Sequence, residues 1–198
     1  MKFSTNLLAI VALASTAVLA ALPQTTQSSA SCQASERVHV QTRNFTTPTG
    51  DVLSVSTKAC PAALANAGHN KRQVINACVA ETINFACITN AGTAPAVGDC
   101  NTLNSAIISV FEAAGDPALF SVGPGLAEEF TLGTCAYVWN NENAAATLEF
   151  CFSEITQTLG PTLNNGCIAV GQSGGLALPV NSALPATTLD WVFEVIHS

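Results

Sequence analysis

Residues 130–143 run Phe-Thr-Leu-Gly-Thr-Cys-Ala-Tyr-Val-Trp-Asn-Asn-Glu-Asn, and the fold class follows from them. Phe130–Leu132 and Cys135–Trp139 are rich in aromatic and β-branched residues and predict two strands. No helix fits between them. Strand pairs joined without a helix favour antiparallel pairing, which places the chain in the α+β class.

Working upstream, Leu119–Val122 predicts a strand segment before Gly123-Pro124-Gly125. Asp99 can cap a helix running to about Ala114, with Cys100, Leu103, Ile107, Val110 and Phe111 on one face and Gly115 as its end. Thr82–Thr89 alternates, with Ile83, Phe85 and Cys87 on one side, and predicts a strand. Working downstream, Asn143 can cap a second helix whose buried face is Leu148, Cys151, Phe152, Ile155 and Leu159, stopped by Gly160-Pro161. Cys167–Val170 predicts a short strand and Gly174–Pro185 a loop. Leu189–Ile196 predicts a last strand, with Leu189, Trp191, Phe193 and Val195 on one face. The expected order is β-α-β-β-α-β-β: two helices and a mainly antiparallel sheet of about five strands.

The chain begins as an exported protein does. Lys2 precedes an apolar run from Leu7 to Leu22, and Val18-Leu19-Ala20 offers the small residues that a signal peptidase needs. Residues 1–20 are expected to be a signal peptide, and no later run is apolar enough to insert in a membrane once it is removed. The eight cysteines agree with an oxidising destination: Cys32, Cys60, Cys78, Cys87, Cys100, Cys135, Cys151 and Cys167. An even number behind a signal peptide predicts disulfides, and the absence of any C-x-x-C pair argues against zinc or a redox motif.

A charge boundary divides the remainder. All six basic residues precede position 73, whereas of thirteen acidic residues only Glu36 and Asp51 do. Residues 73–198 therefore carry eleven carboxylates and no Lys or Arg. Lys71-Arg72 is the one adjacent basic pair and stands at the boundary, after the turn-like Gly68-His69-Asn70. Such a pair in an exposed loop is what a kexin-type protease cuts. Two cysteines precede it and six follow, so each piece can close its own bridges. Residues 21–72 are thus expected to be a pro-segment, and 73–198 the cysteine-rich domain. The pro-segment either acts as an intramolecular chaperone or stays attached through a disulfide. Val38, Val40, Val52, Leu53 and Val55 predict short strands in it, and Asn44-Phe45-Thr46 is its single N-glycosylation sequon.

Four stretches taken together carry a family likeness: Ala96-Val97-Gly98-Asp99-Cys100, Thr131-Leu132-Gly133-Thr134-Cys135-Ala136-Tyr137, Glu149-Phe150-Cys151 and Gly166-Cys167-Ile168-Ala169-Val170. Over about residues 75–198 the chain resembles the mushroom glycan-binding proteins of the Y-three type. It is also similar to the fungal necrosis-inducing effectors akin to killer toxins. Arg43–Pro61, with Thr47-Pro48-Thr49-Gly50-Asp51-Val52, is similar to secreted mushroom proteins as well. The first resemblance implies a helix–sheet–helix sandwich, a neutral glycan or glycoprotein as partner and a homodimer formed through a sheet edge.

Charge excludes several activities. Nucleic acid and anionic membranes need Lys or Arg, and 73–198 has none. The P-loop lysine is missing for the same reason. His197 is the single histidine after position 72 and lies at the terminus, which disfavours a nucleophilic triad. An acid glycoside hydrolase would need two placed carboxylates; Glu128, Glu129, Glu149, Glu154, Asp116 and Asp190 are candidates, nothing selects a pair among them, and the neighbours Glu128 and Glu129 point to opposite faces of a strand. No EF-hand loop is present, Asn140-Asn141-Glu142-Asn143 reads first as a turn, and no metal or cofactor is expected. A lectin-like site remains: Tyr137 and Trp139 against a sugar's C–H face, with Asn140, Asn141 and Asn143 on its hydroxyls. The expectation is a secreted, non-enzymatic carbohydrate-binding protein, with a secreted effector or toxin as the alternative and an acid glycosidase behind both. Repulsion among the eleven carboxylates is expected to raise their folded-state pKa values and so to favour folding at acid pH.

Overall fold

Phe130, Tyr137, Trp139, Phe193 and Val195 all project from one face of a seven-stranded sheet into a single core. The structure is a computed structural model and describes residues 36–65, 73–78, 82–89, 92–112, 118–143, 145–180 and 191–198. The export signal, Cys32, Lys71 and Arg72 lie outside the described residues.

The main sheet contains β1 (Val38–Thr46), β2 (Val52–Ala59), β4 (Thr82–Ile88), β6 (Leu126–Leu132), β7 (Cys135–Asn141), β9 (Gly174–Val180) and β10 (Trp191–His197). Their spatial order is β1-β2-β6-β7-β10-β9-β4, with every neighbouring pair antiparallel. A second sheet joins β3 (Gln73–Asn76), β8 (Ala146–Cys151) and β5 (Leu119–Val122), with β3 parallel and β5 antiparallel to β8. Helix α1 (Pro61–Ala65) is a single turn, and α2 (Val97–Phe111) is the long helix. The third helical run comprises α3 (Phe152–Glu154), a π-helical turn (Ile155–Leu159) and α4 (Gly160–Gly166). The class is α+β, as the sequence predicts, but the sheets hold more than about five strands.

The core explains these elements. Alternation puts Cys135, Tyr137, Trp139 and Asn141 on the inner face of β7, and every residue of this central strand is buried. In α2, Cys100, Leu103 and Ile107 recur at helical spacing and are fully buried. Ile155, Leu159 and Leu163 of the third run, with Leu148 and Phe150 of β8, fill the same cluster. Two disulfides fasten helix to sheet: Cys100–Cys135 links α2 to β7, and Cys87–Cys167 links β4 to the end of α4. Cys78–Cys151 closes the smaller sheet, and Cys60 is also disulfide-bonded.

Several expectations are corrected. The sandwich is not helix–sheet–helix. Tyr137 Oη donates to Cys100 O in α2 and accepts from Asn164 Nδ2 in α4, so both helices cover the same face of the sheet. Residues 143–159 are not one helix. Leu148, Cys151, Phe152, Ile155 and Leu159 fit a helical stripe, yet Ala146, Leu148 and Phe150 also alternate. Strand pairing on both edges of β8 outweighs the local helical period. Gly160-Pro161 opens α4 instead of stopping a helix. Proline lacks an N–H and is tolerated in a first turn, and the π turn before it sends the Gly160 N–H to Ile155 O. Residues 168–170 form a 3-10 turn, not a strand. Gly174–Val180, expected as a loop, is strand β9. A Cβ on Gly175 would meet Leu163 Cδ2 at 3.0 Å, so glycine there lets the sheet approach α4, and Pro179 lies beyond the residues of β9 that pair with β10.

Asp99 does not cap α2. Ala96 is the N-cap residue and Asp99 lies in the first turn. Its carboxylate instead receives the Thr134 hydroxyl and backbone N–H, both at 2.7 Å on Oδ2, while Thr134 Oγ1 accepts from Ala96 N. The helix start and the β6–β7 turn are therefore one hydrogen-bonded unit. Gly133 completes it with φ of 58°, where a Cβ would stand 2.6 Å from Asp99 Oδ2.

The charge boundary does not divide the sheet. β1 and β2 precede it, and β2 pairs with β6 from Ser54↔Thr131 to Ala59↔Leu126. Leu53, Val55 and Ala59 are core residues.

Candidate functional site

The five residues expected to form a sugar platform do not converge on a surface. Trp139 is fully buried, its ring 4.0 Å from that of Phe150, 4.8 Å from Trp191 and 5.4 Å from Phe193. Tyr137 is buried between α2 and α4, and burial pushes its phenol well above the usual range. Asn141 uses its amide N–H groups on Val122 O and Ala146 O, which ties β5 to β8. Asn143 accepts from Ala145 N and Ala146 N, an Asx-type turn into a strand. Asn140, also buried, points to the opposite face of β7. The aromatic and amide residues were legible as a cluster in sequence, but alternation on a central strand turns them into core and turn groups.

A cleft of ≈ 510 Å³ lies elsewhere, between the β1–β2–β6 edge of the main sheet and β5 of the small one. Such a volume lies within the range of small-molecule sites. Its apolar wall is a set of phenyl rings. Phe111 stacks on Phe152 at 4.4 Å, and Phe120 meets Phe130 edge-on at 5.5 Å and Phe152 at 4.8 Å. Leu119, Val122, Leu126 and Val55 extend it, and Gln41, Arg43, Thr57, Ser121 and Glu128 supply the polar groups.

Strand geometry places each polar group. On β6, Leu126, Glu128 and Phe130 share the inner face, and Glu129 faces away to Lys58 at 2.5 Å. The two adjacent glutamates therefore diverge, as strand alternation requires. Glu128 is 6% exposed, and both its oxygens are engaged: Oε1 by Arg43 Nη2 at 2.6 Å and Oε2 by the Thr57 hydroxyl at 2.7 Å. Burying a carboxylate is costly unless it is paired and hydrogen-bonded, and Arg43 and Thr57 do both. The Arg43 side chain remains 53% exposed and is among the residues that line the cleft.

Glu128 is the one carboxylate among the described residues that line the cleft, and there is no histidine among them. Among the described residues, no group of three or more His, Cys, Asp or Glu side chains is placed to hold a metal, and no helix is long and apolar enough to cross a membrane. Asp99 sits apart, in the first turn of α2 against the β6–β7 turn. The Thr134 hydroxyl, and next its backbone N–H, hold its carboxyl below the usual range, opposite in direction to the rise expected from carboxylate repulsion. Asn44 is exposed on β1.

Sequence reasoning passed over Gln41, Arg43, Thr57 and Phe120, and weighed Glu128 only as a hydrolase carboxylate. The available sign was Arg43-Asn44-Phe45, an alternating cation and aromatic just after the expected strand residues Val38 and Val40. What it faces depends on strands from the far side of the charge boundary. No protein-family model matches the chain, and no curated protein is significantly similar to it.

Proposed function

We propose that this chain is a secreted, non-enzymatic binding protein that takes a neutral glycan in the Arg43–Glu128 cleft. The carrying observation is the juxtaposition, in one ≈ 510 Å³ cleft, of phenyl rings with a charge-neutralised Arg–Glu pair flanked by Gln41, Thr57 and Ser121. Sugar rings present C–H faces to aromatic groups and hydroxyls to planar donors and acceptors, and this cleft offers both. Arg43 is neutralised by Glu128, so the site carries no net charge with which to attract an anion. The net charge of −7 on the whole chain disfavours polyanions further. The disulfides are compatible with an oxidising, extracellular destination. The family resemblance supports the same reading, with the binding site moved from Tyr137–Asn143 to the cleft.

A glycan array probed with the secreted protein tests this, followed by titration calorimetry on any hit. Gln41→Ala and Arg43→Ala should each weaken binding about tenfold or more. Glu129→Gln, on the opposite face, should leave it unchanged. No neutral glycan on the array, or binding indifferent to Gln41→Ala and Arg43→Ala, overturns the site. Release of reducing sugar overturns the non-enzymatic reading. Cell death on infiltration without any glycan binding favours the effector alternative.

A further inference from the structure

The two ion pairs described both cross the charge boundary. Arg43 of β1 meets Glu128 of β6 at 2.6 Å, and Lys58 of β2 meets Glu129 of β6 at 2.5 Å. Residues 73–198 have no Lys or Arg of their own, so the upstream segment supplies the cations for these β6 carboxylates. The charge asymmetry that suggests two pieces with different fates is thus complementarity between pieces that belong together.

Packing points the same way. β2 completes the hydrogen bonding of β6 over six register positions. Leu53, Val55 and Ala59 are 0–2% exposed, and Phe45 sets its ring edge-on against Phe111 at 5.0 Å. Removing the upstream segment would leave the edge of β6 bare, Phe130 uncovered and Glu128 buried without its cation. The disulfides do not enforce this union. All six cysteines after Arg72 bond among themselves, so the Cys60 bond stays on its own side of the dibasic pair.

We infer that a cut between residues 65 and 73 leaves a two-chain protein: the segment before it remains as a non-covalent subunit, held on β6 by strand pairing, apolar burial and two ion pairs. The segment is a lasting part of the fold and not a leader to be shed. This holds whether or not the cleft takes a glycan, because it rests on the contacts of β1 and β2 with the rest of the fold.

The test uses the full secreted chain with a site-specific protease sequence inserted between Asn70 and Lys71. After cutting, native mass spectrometry and size exclusion should report one particle with the combined mass of both fragments. Denaturing electrophoresis without reductant should give two bands. Leu53→Ala should weaken the association of the cut fragments about thirtyfold or more. Fragments that separate under native conditions overturn retention, a single unreduced denatured band overturns the non-covalent link, and an unchanged affinity in Leu53→Ala overturns the packing basis. In protein from the native host, an N-terminus upstream of β1 is expected in every particle, and Gln73 alone would overturn retention.

Discussion

Arg43 Nη2 lies 2.6 Å from Glu128 Oε1, joining residues 85 positions apart in the chain. The contact does three things at once. It neutralises a buried carboxylate, forms the polar end of the cleft, and fastens the upstream strands to β6.

Arg43→Ala should destabilise the protein by about 1–3 kcal/mol, because it leaves Glu128 buried with Thr57 as its remaining partner. The double variant Arg43→Met, Glu128→Leu should recover most of that loss, since it removes the buried carboxylate together with its half-exposed cation. Urea denaturation of the wild type, the single variant and the double variant measures this. A double variant less stable than Arg43→Ala would contradict it.

Gly133→Ala should cost about 1–3 kcal/mol, through a left-handed backbone and a Cβ driven into Asp99 Oδ2. A thermal melt reads the loss. Gly98→Ala, where a Cβ meets nothing within 4 Å, is the control and should leave the melting temperature unchanged or slightly raised.

Asp99 ties stability to acid in a defined direction. Its carboxyl is held below the unfolded value by the Thr134 hydroxyl and amide. Its contribution is therefore present above the unfolded value, about pH 4, and is lost as pH falls through the folded one. Asp99→Asn should lower the melting temperature at neutral pH, with the gap to wild type narrowing below about pH 4. A gap that stays constant down to pH 2 would show that Asp99 makes no such contribution.

Trp139→Ala should cost about 3–5 kcal/mol by opening a core cavity. The two tryptophans, Trp139 and Trp191, are 0% and 2% exposed, so emission should be blue-shifted and resistant to acrylamide. Glycan binding in the cleft should leave that emission nearly unchanged. Strong quenching by a bound sugar would return the site to Trp139.

Much of the fold was legible where pattern and environment agree. Cys135–Trp139, Thr82–Ile88 and Trp191–Val195 alternate as strands and are strands, and Cys100–Phe111 repeats as a helix and is one. Legibility failed where one pattern serves two structures. Leu148, Cys151 and Phe152 fit a helix, but open edges on β3 and β5 drew Ala146–Cys151 into a sheet. Gly174–Val180 looked like a loop, with Gly174-Gly175 at its start and Pro179 near its end, although it is the glycine at 175 that lets β9 lie under Leu163. The proposed lectin residues were misread for a related reason. An aromatic–amide run has the same composition in a sugar platform and in a buried central strand, and only neighbours on both sides separate the two.

The sequence by itself determined what depends on composition and local order: eight cysteines suited to export, eleven carboxylates without a cation after position 72, alternation that makes antiparallel strands, and adjacent glutamates that must diverge. The tertiary structure alone decided what depends on contacts between distant segments. It put both helices on one face, paired Cys87 with Cys167 and Cys100 with Cys135, and set β2 beside β6 so that Arg43 meets Glu128. The reason is physical. Local sequence fixes which side of a strand a residue occupies, but burial, ion pairing and the shape of a cleft come from partners tens of residues away, chosen by the packing of the whole core.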